Sequence, residues 1–214
     1  MSALAALLGP GSPPLPEFDG CALLIVDMQN AYCHPEGVFA RNAPDPQICT
    51  RVIEPCARLI AAARGTGIPV LHAAKVSFAQ SAPTISFHNT SREGAGMLLL
   101  GGWEADIAEG VRPAPGEPVI YKPAYSAFFG TSLDTVLQRL GVKHLVLAGV
   151  TTSICVETTA RDAAQRALDV YIVRDASAEW EQERHERSIA QMGYAFARIV
   201  TVDQLTALWK ASPL

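Results

Sequence analysis

Ala22-Leu-Leu-Ile-Val-Asp27 decides the fold: it is an apolar run of strand length that stops at an acid. Unbroken rather than alternating hydrophobicity means that both faces of the strand are covered, the condition of a parallel strand held between helix layers. Outward from it the same unit recurs. Between Gln47 and Arg64, Ile48, Val52, Ile53, Leu59 and Ile60 fall at helical spacing, and Gly65 and Gly67 end that run before a second strand, Ile68-Pro-Val-Leu-His-Ala73. Beyond Pro115-Gly116 come a strand at Pro118–Lys122, a helix from about Thr131 to Leu140, and a strand at His144–Gly149. A helix from near Ile154 to about Ala167, a strand at Asp169–Arg174 and a helix at Glu181–Met192 stopped by Gly193 follow, then a strand at Phe196–Thr201 and a short last helix. Six strands alternating with helices predict an α/β fold: a three-layer αβα sandwich around a six-stranded, mainly parallel, doubly wound sheet with right-handed crossovers. Residues 1–18 read as a flexible N-terminal arm and 19–214 as one domain, with Lys75–Gly116 a long irregular segment of the kind that walls active sites.

The bulk numbers narrow the function. With 214 residues, 49% of them hydrophobic and 18% charged, the chain has the composition of one well-packed core. A formal charge of −4 without a Lys/Arg cluster offers no footprint for nucleic acid or an anionic membrane, and the apolar runs are too short to span a bilayer. The opening residues lack a basic leader and a cleavage site, so the expected location is cytoplasmic. Five cysteines, Cys21, Cys33, Cys49, Cys56 and Cys155, are an odd number without C-x-x-C spacing, which argues against a disulfide framework or a zinc site and leaves room for a reactive thiol.

Ligands of open parallel sheets bind at the carboxyl ends of the strands. There the first strand ends in Asp27, the third in Lys122, and the fourth runs at once into Gly149-Val-Thr-Thr-Ser-Ile-Cys155. An acid, a base and a thiol thus converge although 95 and then 33 residues separate them. A thiol with a reference pKa of ~8.5 needs a cation or a helix N-terminus to become a nucleophile, and Lys122 and the expected helix start at Cys155 offer both. Asp27 is placed to take the thiol proton and return it to a leaving amine. Taken singly each has a plainer role: Asp27 a loop bracket, Lys122 a solvated strand end, Cys155 a small buried hydrophobe. Their common edge favours the chemical reading. A dehydrogenase would need G-x-G-x-x-G after the first strand, where Asp27-Met-Gln-Asn-Ala-Tyr32 stands, and a phosphoryl-accepting switch would need clustered acids for magnesium.

Three blocks carry a resemblance: Leu24-Ile-Val-Asp-Met-Gln-Asn-Ala-Tyr32, Tyr121-Lys-Pro-Ala-Tyr-Ser-Ala-Phe128, and Leu147-Ala-Gly-Val-Thr-Thr-Ser-Ile-Cys-Val-Glu-Thr-Thr-Ala-Arg-Asp162. In this order they resemble the motifs of the isochorismatase-like cysteine hydrolases, over roughly Asp19 to Asp203. The resemblance implies Asp27 as general base, Lys122 as polarising cation, Cys155 as nucleophile, and an oxyanion hole from the backbone N–H groups of Thr151 and Cys155. It also implies a cis peptide at Val150-Thr151, no cofactor, and assembly as a homodimer or homotetramer. Nicotinamidases of this superfamily carry a D-x-H metal motif where this chain reads Ala73-Ala-Lys-Val-Ser-Phe78, so no metal is expected. Siderophore-type isochorismatases lack the cysteine. The chain is most similar to amidases of carbamoyl and ureido compounds, which implies a small linear amide as substrate. Maleamate, biuret or isochorismate hydrolysis, or a binding role on an inactive scaffold, are the alternatives. Gln29, Asn30, Tyr32, Tyr125 and Phe128 are the expected substrate contacts, with Phe39 and Trp103 as further candidate walls and Arg92 as a candidate carboxylate clamp; the competing roles are ordering the loop after Asp27 for Gln29 and Asn30, packing for Tyr32, Phe39, Trp103 and Phe128, and a solvated loop position for Arg92, while His72 and His88 have no partner in the sequence pattern.

Overall fold

The computed structural model describes residues 19–77 and 98–211. The arm expected over 1–18, together with His88 and Arg92, lies outside the described residues. Six strands, β1 (Cys21–Val26), β2 (Val70–Lys75), β3 (Val119–Lys122), β4 (His144–Val150), β5 (Asp169–Ala178) and β6 (Arg198–Val200), form one sheet in the order β3-β2-β1-β4-β5-β6. Every neighbouring pair is parallel. Period-two alternation sends Leu23 and Ile25 of β1 to one core and Ala22, Leu24 and Val26 to the other, so the run in the sequence is apolar throughout because each face has its own helix layer.

On the first face lie α2 (Ile53–Gly65), with Cys56, Leu59, Ile60 and Ala63 turned inward, and α6 (Val202–Ala211), with Val202, Leu205 and the fully buried Trp209. The second face carries α3 (Leu133–Arg139), α4 (Glu157–Ala164) and α5 (Gln182–Ala195), through Leu133, Leu137, Ala160, Ala163, Ile189 and Met192. Each such Leu or Ile stabilises the fold by roughly 1.5–3 kcal/mol relative to exposure. A short helix, α1 (Asn30–Cys33), follows β1 at the edge where the strands end.

Several boundaries differ from the sequence expectation for local reasons. Helix α5 runs through Gly193 to Ala195: a Cβ on Gly193 would stand 3.0 Å from Ile199 Cγ1, so this glycine lets the helix lie close on β6 instead of ending it. Strand β5 continues past Arg174 to Ala178, because after an irregularity it pairs again with β4, Gly149 facing Ser177 and Val150 facing Ala178. The chain after β4 does not enter an α-helix directly; Thr152–Val156 form a π-type turn before α4 begins at Glu157. α4 then ends at Ala164, short of Ala167, where φ is +59°. No described helix is long and apolar enough to cross a membrane.

Candidate active site

The strand order places the crevice. β1 and β4 are neighbours, and their connections leave toward opposite sides of the sheet, so the carboxyl ends of these two strands open a cleft. Asp27 follows one and Thr151–Cys155 follow the other. Asp27 takes φ +50°, a left-handed conformation uncommon for non-glycine residues, which turns the chain off the line of β1. Gly149 holds the two strands together: at φ +120° its α-carbon lies so close to β1 that a Cβ would be 2.1 Å from the Val26 carbonyl oxygen. The Val150-Thr151 peptide is cis, as the resemblance implies.

Asp27 and Lys122 are fully buried, and Lys122 Nζ lies 2.7 Å from Asp27 Oδ2. The other carboxylate oxygen accepts the backbone N–H of Lys75 at 2.9 Å. Besides this ion pair, Lys122 Nζ donates to the carbonyls of Ala124 and Tyr125, each at 3.0 Å. Burial works to lower the Lys122 pKa, but Asp27, and after it Cys155, hold it above the ordinary lysine value. Cys155 is 5% exposed, and its thiol lies close enough to Asp27 and Lys122 for both to act on its proton. Burial pushes that thiol up to about 12, Asp27 adds to the rise, and Lys122 and then Lys75 oppose it. The expectation that Lys122 and a helix start hold a thiolate is therefore not met: desolvation disfavours the charged form more than one cation shared with Asp27 favours it, and Cys155 lies in the π-type turn rather than in the first turn of α4.

That turn is clamped from β5 and α5. Glu179, 2% exposed, accepts the Ser153 N–H at 3.0 Å and the Ser153 hydroxyl at 2.5 Å on Oε2, and the Trp180 N–H at 2.9 Å on Oε1. Thr152 Oγ1 is 2.9 Å from His185 Nδ1, and Ser188 Oγ donates to Glu157 at 2.5 Å. The Thr151 carbonyl accepts from the N–H groups of Ile154 and Val156, both at 3.2 Å.

A cavity of about 530 Å³ opens onto Cys155 and Thr151. Tyr32 and Tyr125 line it; Tyr32 stacks on Phe39, another lining residue, with ring centroids 4.8 Å apart. The remaining expected contacts stand elsewhere. Gln29 is buried outside the cavity, its amide spent on the Lys75 and Ala105 carbonyls and the Lys75 N–H. Asn30 donates to the Trp103 carbonyl, so these two residues order the loop after β1. Phe128 packs in the core under the Arg166 guanidinium, 4.5 Å away, and Trp103 lies against His34. Of the described part of Lys75–Gly116 only Lys75 lines the cavity; 32–44 and 179–184 build most of its described wall. His72, which sequence reasoning leaves without a partner, lies 3.3 Å from Glu117 Oε2.

Lys75, Glu179, Trp180 and Arg184 line the cavity and were missed. The strand-end rule that finds Asp27 and Lys122 would also find Lys75 and Glu179 had β2 been extended past Ala73 and β5 past Arg174. Among the described residues no group of three or more His, Cys, Asp or Glu is arranged to hold a metal.

The isochorismatase-domain family matches residues 21–204. The chain is 33% identical over 169 residues to a ureidoacrylate amidohydrolase of Methylobacterium radiotolerans, covering 72% of this chain and 66% of that relative, so it spans about two thirds of that protein's length. A ureidoacrylate amidohydrolase of Variovorax paradoxus is 35% identical over 173 residues, 74% of this chain and 68% of the relative. The N-carbamoylsarcosine amidase of Thermoplasma acidophilum superposes with a TM-score of 0.72 at 27% identity, over 86% of this chain and 96% of that one. An isochorismatase family protein of Desulfovibrio vulgaris does so with 0.78 at 30% identity, over 90% and 99%. Sheet order, strand-end residues and these matches agree, and the chain belongs to the isochorismatase-domain family of hydrolases.

Proposed function

We propose that the protein is a cysteine-dependent amidohydrolase that cleaves the C–N bond of a small linear amide of the carbamoyl or ureido type, releasing ammonia through a thioester. One observation carries this reading: Cys155, the cavity and the buried Asp27–Lys122 pair at 2.7 Å meet at one point of the sheet edge. The relatives named for ureidoacrylate and N-carbamoylsarcosine support the substrate class.

Cys155 rests as a thiol, so its proton leaves as the bond to carbon forms. Sγ attacks the amide carbon while the Asp27 carboxylate accepts the proton, and Lys122 steadies the charge that remains on sulfur. The amide oxygen becomes an oxyanion, for which the backbone N–H groups of Thr151 and Cys155 are the assigned donors. Collapse breaks the C–N bond, and Asp27 returns its proton to the departing amine, giving ammonia and the thioester. Water then attacks the thioester carbon, Asp27 again takes a proton, and the acid or carbamate departs as that proton returns to sulfur. No step requires a metal.

The test is ammonia release from N-carbamoyl amino acids, ureidoacrylate-like acids, biuret, maleamate and nicotinamide, by the wild type and Cys155→Ala, with EDTA present. Release that chelation spares and the substitution abolishes supports the reading, and the preferred amide fixes the substrate. No release from any of them, with Cys155 inert to iodoacetamide, sinks it and favours a binding role.

A further inference from the structure

We infer that Lys75 makes this cavity a site for an anionic amide, its ammonium holding a carboxylate on the non-reacting end of the substrate while Cys155 meets the amide carbon. The inference rests on the hydrolase reading above for the identity of the attacking group and deepens it by naming what distinguishes the substrate. Lys75 is the last residue of β2, and β2 lies beside β1, so its side chain leaves the sheet next to Asp27. It is 4% exposed, yet it lines the same cavity as Cys155. Its Nζ lies 5.3 Å from the centroid of the Tyr125 ring, another cavity wall, which directs the ammonium along the pocket surface. Its charge reaches the sulfur, for it is among the groups that lower the Cys155 pKa.

Among the described residues two cations line the cavity, Lys75 and Arg184, and they differ in burial. Arg184 is about half exposed, where solvent screens it. The field of Lys75 acts through a desolvated wall and is correspondingly stronger. Of the two described carboxylates on the lining, Glu181 is half exposed and paired with Arg184 at 3.2 Å, and Glu179 has both oxygens occupied by N–H and O–H donors, so it is fixed in place as part of the wall. A cavity of about 530 Å³ has room for a small ureido acid. The backbone N–H of Lys75, not its side chain, holds Asp27 and Gln29, so changing the side chain leaves the Asp27 contact in place.

The experiment compares alkylation of Cys155 by iodoacetate and by iodoacetamide, read on the Cys155 peptide by mass spectrometry. The two reagents attack the same thiolate and differ in one carboxylate, so any change in thiol pKa or access common to both cancels in their rate ratio. The wild type should favour iodoacetate over iodoacetamide about tenfold more than a free cysteine peptide does, a preference that weakens with salt. Lys75→Met should bring the ratio most of the way to the peptide value, and Lys75→Arg should retain it. A Lys75→Met ratio within twofold of wild type overturns the inference. So does a wild-type ratio at or below that of the free peptide, a measurement that needs no variant to fold. A Lys75-dependent ratio in a protein that hydrolyses none of the amides would uphold the anion site and sink the hydrolase reading, so the two fail separately.

Discussion

Replacing Asp27 by Asn removes one charge from a pair that water does not reach. Both partners are fully buried, 2.7 Å apart. Asparagine keeps the shape of aspartate but not its two acceptors. If its oxygen faces the Lys75 N–H, as Oδ1 of Asp27 does at 2.9 Å, its amide nitrogen points donor to donor at the Lys122 ammonium. If it is turned over, the Lys75 N–H loses its acceptor. One buried donor is stranded either way, and Lys122 keeps only the Ala124 and Tyr125 carbonyls to offset its charge. Breaking one side of a buried pair costs about 3–5 kcal/mol, which in a domain of this size lowers Tm by about 6–20 °C. Lys122→Met alone leaves the converse orphan, whereas the double variant Asp27→Asn/Lys122→Met leaves no buried charge and should regain about 2 kcal/mol over the sum of the single losses. Urea denaturation of the four proteins gives the cycle, and all three variants should lose amide hydrolysis. A Tm for Asp27→Asn within 2 °C of wild type, or additive single losses, would refute the view that this pair is a desolvated unit.

Four further outcomes are expected. Gly149→Ala sets a methyl 2.1 Å from the Val26 carbonyl at a φ that side chains rarely adopt, and should cost about 3 kcal/mol in urea denaturation; a loss under 1 kcal/mol would mean that β1 and β4 separate easily. Glu179→Gln turns one acceptor into a donor facing the Ser153 or Trp180 N–H, and should lower kcat about tenfold with KM nearly unchanged; an effect confined to KM would make Glu179 a substrate contact instead. Because the Cys155 thiol is pushed up to about 12, its alkylation by iodoacetamide should accelerate roughly tenfold per pH unit from pH 7 to 10, and a plateau near pH 8 would mean an exposed or activated thiolate. Burial likewise pushes Cys21 from 9.0 up to about 12, so the folded chain keeps a proton that the unfolded chain loses. Its stabilisation is intact below about pH 9 and is lost as pH rises toward 12, at ~1.4 kcal/mol per pH unit, and Cys21→Ala should flatten the stability profile over that window by this slope.

Much of this molecule was legible one residue at a time. Ala22–Val26 and Leu145–Val150 are covered on both faces, so their hydrophobicity needs no partner to be read, and the number and type of strands follow from such runs and from the helices between them. A strand that ends in an acid or a lysine puts that group at the ligand-binding edge whatever the loops do, which is why Asp27 and Lys122 were found. Where side-chain chemistry was read without burial, the result changed. The environment of Cys155 is set by desolvation, and Gln29, Asn30 and Phe128 are polar or aromatic residues near Asp27 and Lys122 in sequence whose partners lie in other segments. Lys75 and Glu179 escaped notice because strand ends are fixed by pairing with a neighbour: β2 reaches Lys75 beside Lys122, and β5 reaches Ala178 by rejoining β4 at Gly149 and Val150. The sequence by itself determined the layers, the strand count and the residue types at the strand ends, because periodicity and termination are local. Only the tertiary structure decided which strands are neighbours, how far each extends, and which buried charge faces which, because pairing and desolvation are properties of segments distant in the chain.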